Sequence, residues 1–437
     1  MRRVAVAAGG LTMALGLAAC GTPDAIPTML EGQGERVEVA LSSATSTGDV
    51  VAASWRAGFA ALGAGDDPAG TVVSPASLVV ALSMLAEGAS GESAAALDAA
   101  LGASGDARTD AVNALSATLA RYEGDPAAVG AKELPEIPVV HLANQVVVDD
   151  QQEAQPDYLD RLRAGYGAGV LVTDLAGEDG KRALDAWVRD NTGGLIKESA
   201  ITPSPDLVLV LQNAVALAAR WSTSFDPNVT QPADFTLADG TATSVDMMHL
   251  ATPFAYVERD GWRAVRLPYV QVDDGNPQLY ADVILPPEGS DAAADPAVAD
   301  PATVAALSAA LGERTPVDVL LALPKLDLTT SLDLLPALDA MGLGALTSPQ
   351  TAGLDGLLVD PPAPPYVGQA FQQGVLQVDE DGTRAAAVTE IGVLAGAAPL
   401  QEPITMTIDR PYLFAVTDGA TGWPLFLASV LDPSAAG

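Results

Sequence analysis

Apolar positions along this chain change their period from one stretch to the next, and each change marks an element. Residues 50–62 repeat apolar side chains at helical spacing, while 77–86 is apolar on nearly every face and predicts a helix buried all round. An Ala-rich helix is expected over 93–101, and an amphipathic one over 180–191, stopped by Gly193-Gly194. Residues 138–148 read as a buried strand ending at Asp149-Asp150, and 207–219 has the continuous apolar run of a central strand. Strands at 262–267 and 279–285 should pair, and 317–326 reads as one further strand. Helices and strands intermingle without a regular βαβ rhythm, so the expected class is α+β. Three stretches rich in Pro, Ala, Gly and Asp (123–137, 286–301 and 358–365) read as surface insertions. There is no internal repeat.

The most informative pattern lies near the C-terminal end. Asp379-Glu380-Asp381-Gly382 has the make-up of a turn, yet the residues after it alternate as a strand should. One face reads Thr383, Ala385, Ala387, Thr389, Ile391, Val393 and Ala395, with no charge. The other reads Arg384, Ala386, Val388, Glu390, Gly392 and Leu394, and can meet water at Arg384 and Glu390. Ala and Gly are poor strand formers and sit comfortably in an exposed loop. A segment able to be either loop or strand is what a conformational trap needs. Pro399 is the first proline after Thr383, so nothing earlier would interrupt a hydrogen-bonded ladder.

Composition narrows the functions. The 437 residues are 49% hydrophobic, ample for a large core, and carry a net charge of −35, which repels phosphate backbones and argues against nucleic-acid binding. The single cysteine, Cys20, excludes an internal disulfide. It follows a basic start (Arg2, Arg3) and an apolar run too short to span a membrane comfortably. Leu17-Ala18-Ala19-Cys20 looks like the lipobox of bacterial lipoproteins, which implies cleavage before Cys20, lipidation of its thiol and a place on the outer face of the cell membrane. The expected organisation is a signal peptide over 1–19, a disordered tether over 20–48, and one domain over 49–437. His141 and His249 are the only histidines and read as ordinary side chains. The Asp379, Asp381 and Glu390 spacing lacks the glycine and ligand set of a calcium loop, so neither metal nor cofactor is expected. No Gly-x-Ser-x-Gly elbow is present, so an enzyme is not expected, and Ser74 and Ser77 read as structural.

Taken in order, the motifs from about Asp49 to Pro433 resemble the serpin family. Val72-Val73-Ser74-Pro75-Ala76-Ser77 and Gly88-Ala89-Ser90-Gly91-Glu92-Ser93 are similar to the family's buried helix and the turn after it. Leu142-Ala143-Asn144, Leu211-Gln212-Asn213 with Trp221, Leu267-Pro268-Tyr269, Leu323-Pro324-Lys325 and Asp409-Arg410-Pro411-Tyr412 follow in the family's order. Glu380, Gly382, Thr383 and the alanines Ala385, Ala386 and Ala387 resemble the hinge of its reactive loop, placed at about 380–403. The chain departs from the pattern at Tyr412 (usually Phe), Ser224 (Pro), Arg384 (Glu) and Gln372 (His).

The resemblance implies a metastable fold of mainly antiparallel sheets and surrounding helices, with an exposed loop that acts as bait. A serine protease, or a cysteine protease, would cleave it and form a covalent acyl complex. The loop would then insert as a new strand of the main sheet and drag the protease with it. Ser74, Ser77, Asn213 and Gln372 would form the shutter through which the sheet opens, with Gln372 bonded to Ser74 and Asn213. Trp221 would pack the breach at the top, and Lys325 would pair with Glu380. The implied protein is a monomer. Family spacing from Gly382 puts the scissile bond at Gly396–Ala397, whereas counting back from Pro411 gives Leu400. The four residues of difference amount to about 13 Å of slack. Slack would delay the trap, so Gly396–Ala397 is preferred, with Leu394 and Leu400 as alternatives. No Lys or Arg lies between Ile391 and Gln401, which disfavours a trypsin-like target and leaves elastase-, subtilisin- or chymotrypsin-like proteases.

Overall fold

The computed structural model describes residues 28–30, 35–272, 278–293, 295, 299–383 and 402–435. Its helices are α1 (Thr47–Leu62), α2 (Pro75–Ala86), α3 (Gly91–Leu101), α4 (Gly105–Thr118), α5 (Pro156–Tyr166), α6 (Glu178–Asn191), α7 (Pro301–Gly312) and α8 (Leu335–Ala340). A seven-stranded main sheet runs β1 (Thr28–Leu30), β4 (Gly169–Thr173), β3 (Val139–Asp149), β5 (Leu209–Arg220), β13 (Gly382–Thr383), β12 (Phe371–Val378), β11 (Leu326–Asp333). The second sheet runs β14 (Ile404–Thr407), β10 (Val317–Pro324), β7 (Ala242–Arg259), β8 (Trp262–Pro268), β9 (Leu279–Leu285), β15 (Tyr412–Asp418), β16 (Pro424–Val430), β2 (Gly70–Val73), with β6 (Gln231–Thr236) paired to β7. All the ladders are antiparallel except β3–β4 and β10–β14, and the class is α+β.

Helix α2 is apolar all round because it lies between the two sheets, against β5 and β16. Its start is fixed twice: Pro75 sets the first-turn backbone, and the Ser74 side chain accepts from the Ser77 amide at 3.2 Å. Helix α6 covers the opposite face of the main sheet, seating Leu184 on Val147, Leu171 and Val210. It ends where Gly193 and Gly194 take positive φ (62° and 80°). At Gly193 a side chain would also meet the backbone of Gly130 at 2.6 Å.

Three expectations need correction. The single strand over 317–326 is two strands in different sheets. β10 stops at Pro324, which has no amide proton for a ladder, and the Lys325 amide donates to Asp246 O at 3.0 Å as the chain crosses to β11. The stretch 20–48 is not tether throughout. Thr28–Leu30 pairs antiparallel with β4 at the edge of the main sheet. Further on, Asn113 clamps the backbone: its Oδ1 accepts from Val39 N at 2.9 Å and its Nδ2 donates to Val37 O at 2.8 Å. The three composition-biased stretches are also not merely surface. Val129 and Leu134 pack on Ala216 and Ala218, Ala292 and Ala293 are buried, and Leu358 is buried. Each carries one or two apolar anchors that its average composition conceals.

A buried ionic cluster ties β8, β9 and α7 together. Arg266 forks onto both oxygens of Asp282 (2.6 and 2.7 Å) and donates to Ser308 O at 2.8 Å, while Ser308 Oγ donates to Asp282 at 2.6 Å. Removing one charge would strand the other in the core. Asp282→Ala is therefore expected to cost about 3–5 kcal/mol and Ser308→Ala about 1 kcal/mol. Shifts of the urea unfolding midpoint measure both; equal small shifts would refute the assignment.

Candidate functional site

The turn expected at 379–382 sits at the upper end of the main sheet, between β12 and β5. The Asp379 side chain accepts from the amides of Asp381 (3.0 Å) and Gly382 (3.2 Å), and the Asp379 amide donates to Gly382 O at 3.0 Å. The chain thus reverses within four residues and re-enters the sheet as β13. Gly382 pairs with Arg220 and Thr383 with Ala219 on one side, and Thr383 with Val378 on the other. Any side chain at Gly382 would collide with the Ala219 carbonyl, so glycine is required by the closeness of the strands.

Five residues bolt this turn and the start of β13 to their surroundings. Trp221 donates its amide to Asp381 O at 2.8 Å and its indole Nε1 to Asp379 O at 2.9 Å. The Trp221 ring stacks on Tyr269 with centroids 4.7 Å apart. Burial pushes the Tyr269 phenol well above its ordinary value, so it stays protonated and bonds to the Thr383 hydroxyl. Glu380 takes Lys325 Nζ at 2.8 Å and Thr230 Oγ1 at 2.8 Å on its two oxygens, and its carbonyl accepts from the Phe225 amide at 2.9 Å.

Below β13 the two neighbouring strands separate. Among the described residues no ladder joins β5 to β12, and a cleft of about 700 Å3 lies between them. Ser74, Ser77, Asn213 and Gln372 all line it, and α2 forms part of its lining. Gln372 grips the start of α2: its Oε1 accepts from Ser74 N at 2.9 Å and its Nε2 donates to Ser74 O at 3.0 Å. Ser74 Oγ donates to Leu425 O at 2.7 Å. The expected bond between Gln372 and Asn213 is absent, because no ladder joins their strands and the cleft lies between them. Asn213 instead donates to Asn144 Oδ1, and its own Oδ1 is buried without a partner.

Comparisons with known proteins bear on this architecture. The family model described as "Serpin (serine protease inhibitor)" matches residues 59–433. The chain belongs to the serpin family. It is 30% identical to "Putative serpin-Z12" of Oryza sativa subsp. japonica over 83% of this chain and 85% of that one. It is also 30% identical to "Iris" of Ixodes ricinus, over 84% and 94%. Among solved structures, the thermophilic serpin tengpin in its native state superposes with a TM-score of 0.71 at 21% identity, over 92% of this chain and 97% of that one.

The structure places the sequence-predicted serpin positions in two groups. Glu380, Gly382, Thr383, Trp221 and Lys325 meet at the head of the cleft, and Ser74, Ser77, Asn213 and Gln372 line its walls. Ala385, Ala386, Ala387, Leu394, Gly396, Ala397, Leu400 and Cys20 lie outside the described residues. No role for Tyr269, Thr230 or Asn144 follows from the sequence. Tyr269 and Asn144 belong to motifs that fall in order, but nothing in a single sequence shows which partner each finds across 48 or more positions. His141, read as ordinary, holds Glu123 (2.8 Å) and Asn191 (3.0 Å). No group of three metal-ligating side chains occurs among the described residues.

Two carboxylates in the turn titrate in opposite senses. Burial opposes the charge on Glu380, but the hydrogen bonds from Lys325 and Thr230 outweigh it and hold the carboxyl below its ordinary value. Its contribution is complete above the ordinary carboxylate range and fades as pH falls through the folded-state value. Burial pushes Asp381 up, against the pull of Arg220, so its contribution is present in acid and lost as pH rises through the raised value. Acidification toward about pH 4 should loosen the turn through Glu380 and tighten it through Asp381. In Glu380→Gln only the second effect remains, so that turn should become firmer in acid. Lys325→Ala should weaken the turn by about 1 kcal/mol at neutral pH and raise the rate of spontaneous conversion to a heat-stable form about fivefold. The heat-stable fraction on storage, followed against pH, measures all three; an unchanged fraction in Lys325→Ala would count against the bolt.

Proposed function

We propose that this chain inhibits serine proteases of the elastase, subtilisin or chymotrypsin type by cleavage and insertion of the segment that follows Thr383, and that it does so as a monomer held to the outer face of the cell membrane through a lipid on Cys20. The observation that carries the reading is β13. Its two residues already form strand between β5 and β12, at the head of a cleft bounded by those same strands. Thr383 is 3% exposed and pairs with Ala219 and Val378, so a strand continuing from it would turn the uncharged face of the segment into the core.

Continuing the two registers sets what each later residue would meet. Ala385 would lie between Leu217 and Leu376, Ala387 between Val215 and Gly374, and Thr389 between Asn213 and Gln372. Only small side chains suit a strand with α2 packed close beneath, which accounts for the alanines. Thr389 would bring a hydroxyl to the level of the partnerless Asn213 Oδ1, and a hydrogen bond there would satisfy it. Residue 393 would reach Leu209, where β5 begins, and residue 395 would reach Leu207, which still lines the cleft. A bond broken at Gly396–Ala397 therefore releases a strand about as long as the cleft, whereas Leu400 leaves surplus chain. The apolar side chains suited to the proposed targets, Leu394 and Leu400, flank that bond and remain the alternatives.

The test is to mix the domain with elastase, chymotrypsin and subtilisin, run denaturing gels, and measure the mass of the released C-terminal peptide. A denaturant-stable complex and a peptide beginning at Ala397 are expected. Clean cleavage without a complex would instead make the chain a substrate or a binding protein of serpin fold. Thr389→Val, which keeps shape and removes the hydroxyl, should lower the stability of the cleaved form by about 1 kcal/mol and leave the uncleaved form unchanged. Denaturant midpoints before and after cleavage read the difference.

A further inference from the structure

The path of the chain before α1 fixes how the domain would stand on a membrane. Residues 20–48, taken as free tether, would span roughly 90 Å from Cys20 to the start of α1 and leave the domain without orientation. In the structure two parts of that length, Thr28–Leu30 and the backbone around Val37 and Val39, are held on the protein. Val37 and Val39 are held by Asn113, which also donates to Gly165 O at 2.8 Å, and the Val37 amide donates to Ala164 O at 3.0 Å. Further toward the N-terminus, Thr28, Met29 and Leu30 pair with Val172, Leu171 and Val170 of β4. Only seven residues separate Cys20 from Thr28, a reach of roughly 26–29 Å.

The level at which the chain joins the sheet follows from the registers. Thr28 pairs with Val172, Val172 with Val148, and Val148 with Leu209, so Thr28 lies at the level of the lower end of β5. Because β1 is antiparallel to β4, it runs upward from Thr28, and its N-terminal end is at that lower level. Thr383 pairs with Ala219, ten residues higher on β5, about 33 Å away. The bait segment begins at that upper pole.

We infer that the docked strand β1 orients the anchored domain, setting its lower pole against the membrane and presenting the bait away from it, toward soluble proteases arriving from outside rather than proteases embedded in the same membrane. This rests on lipidation of Cys20 and on the bait reading above. The orientation is a property of β1 and its clamp, not of the lipid.

The experiment uses the full lipidated chain in phosphatidylcholine–phosphatidylglycerol vesicles with an acceptor dye at the headgroups. Since the lipid consumes the thiol of Cys20, a second cysteine can carry the donor alone. It is placed at exposed Asp206 beside the lower end of β5 (Asp206→Cys) or at exposed Thr223 beside the upper end (Thr223→Cys). Energy transfer should be at least about twofold greater from the lower site, given the separation of about 30 Å. Met29→Pro, which removes an edge amide and disfavours the strand, should bring the ratio toward one while the protein still floats with the vesicles. Equal transfer from both sites in the floating wild type would overturn the orientation. Hydrogen exchange of the soluble chain gives a reading that needs no lipid. The amides of Thr28–Leu30 that face β4 should exchange at least about tenfold slower than free peptide in the wild type, and the amides left in Met29→Pro should exchange at the free rate. Free exchange in the wild type would overturn the docking. Failure to float with that protection intact would remove the lipid and leave the docked strand standing.

Discussion

Everything distinctive here depends on a pair of residues forced between two strands. Gly382 and Thr383 occupy one interstrand place at the top of the main sheet, and β5 and β12 are thereby held two spacings apart. The turn that drives them in is short, acidic and bonded at every point: to Trp221 through two donors, to Lys325 and Thr230 through Glu380, and to Tyr269 through Thr383. The rest of the cleft follows from that wedge. Its walls are two strands that no ladder joins among the described residues, and its floor is a largely apolar helix.

The same separation explains the polar groups midway down. Gln372 is fully engaged with the backbone around Ser74, so it fastens β12 to α2 rather than to β5. Asn213 is fastened to β3 through Asn144 and keeps one oxygen unmatched. A buried acceptor without a partner carries an energetic cost that a hydroxyl-bearing strand would relieve. The amide of Gln372 does not titrate, whereas Glu380 and Asp381 in the turn are carboxylates with shifted titration.

Much of this was legible in the sequence because it is local. The buried helix after Ser74, the amphipathic helix ended by two glycines, the central strand leading to Trp221, and the turn at 379–382 each follow from composition and period within a dozen residues. The Lys325–Glu380 pair and the grouping of Ser74, Asn213 and Gln372 came from the family resemblance, since they join positions 55 to 298 residues apart. The strand over 317–326 was misjudged because an apolar run does not show that its chain changes sheets at a proline. The segment before α1 was misjudged because a three-residue edge strand and a backbone clamped by Asn113 need no apolar pattern of their own.

By itself the sequence determined the class of fold, the small uncharged face that a strand can bury, the acidic composition and the single cysteine, because these are properties of residue type and spacing. Only the tertiary structure decided that the turn is wedged between β5 and β12, that Gln372 and Asn213 line one cleft without a bond between them, and that β1 begins at the level of the lower end of β5, opposite the turn. Those depend on register, and register is set by contacts between distant strands that no local pattern encodes.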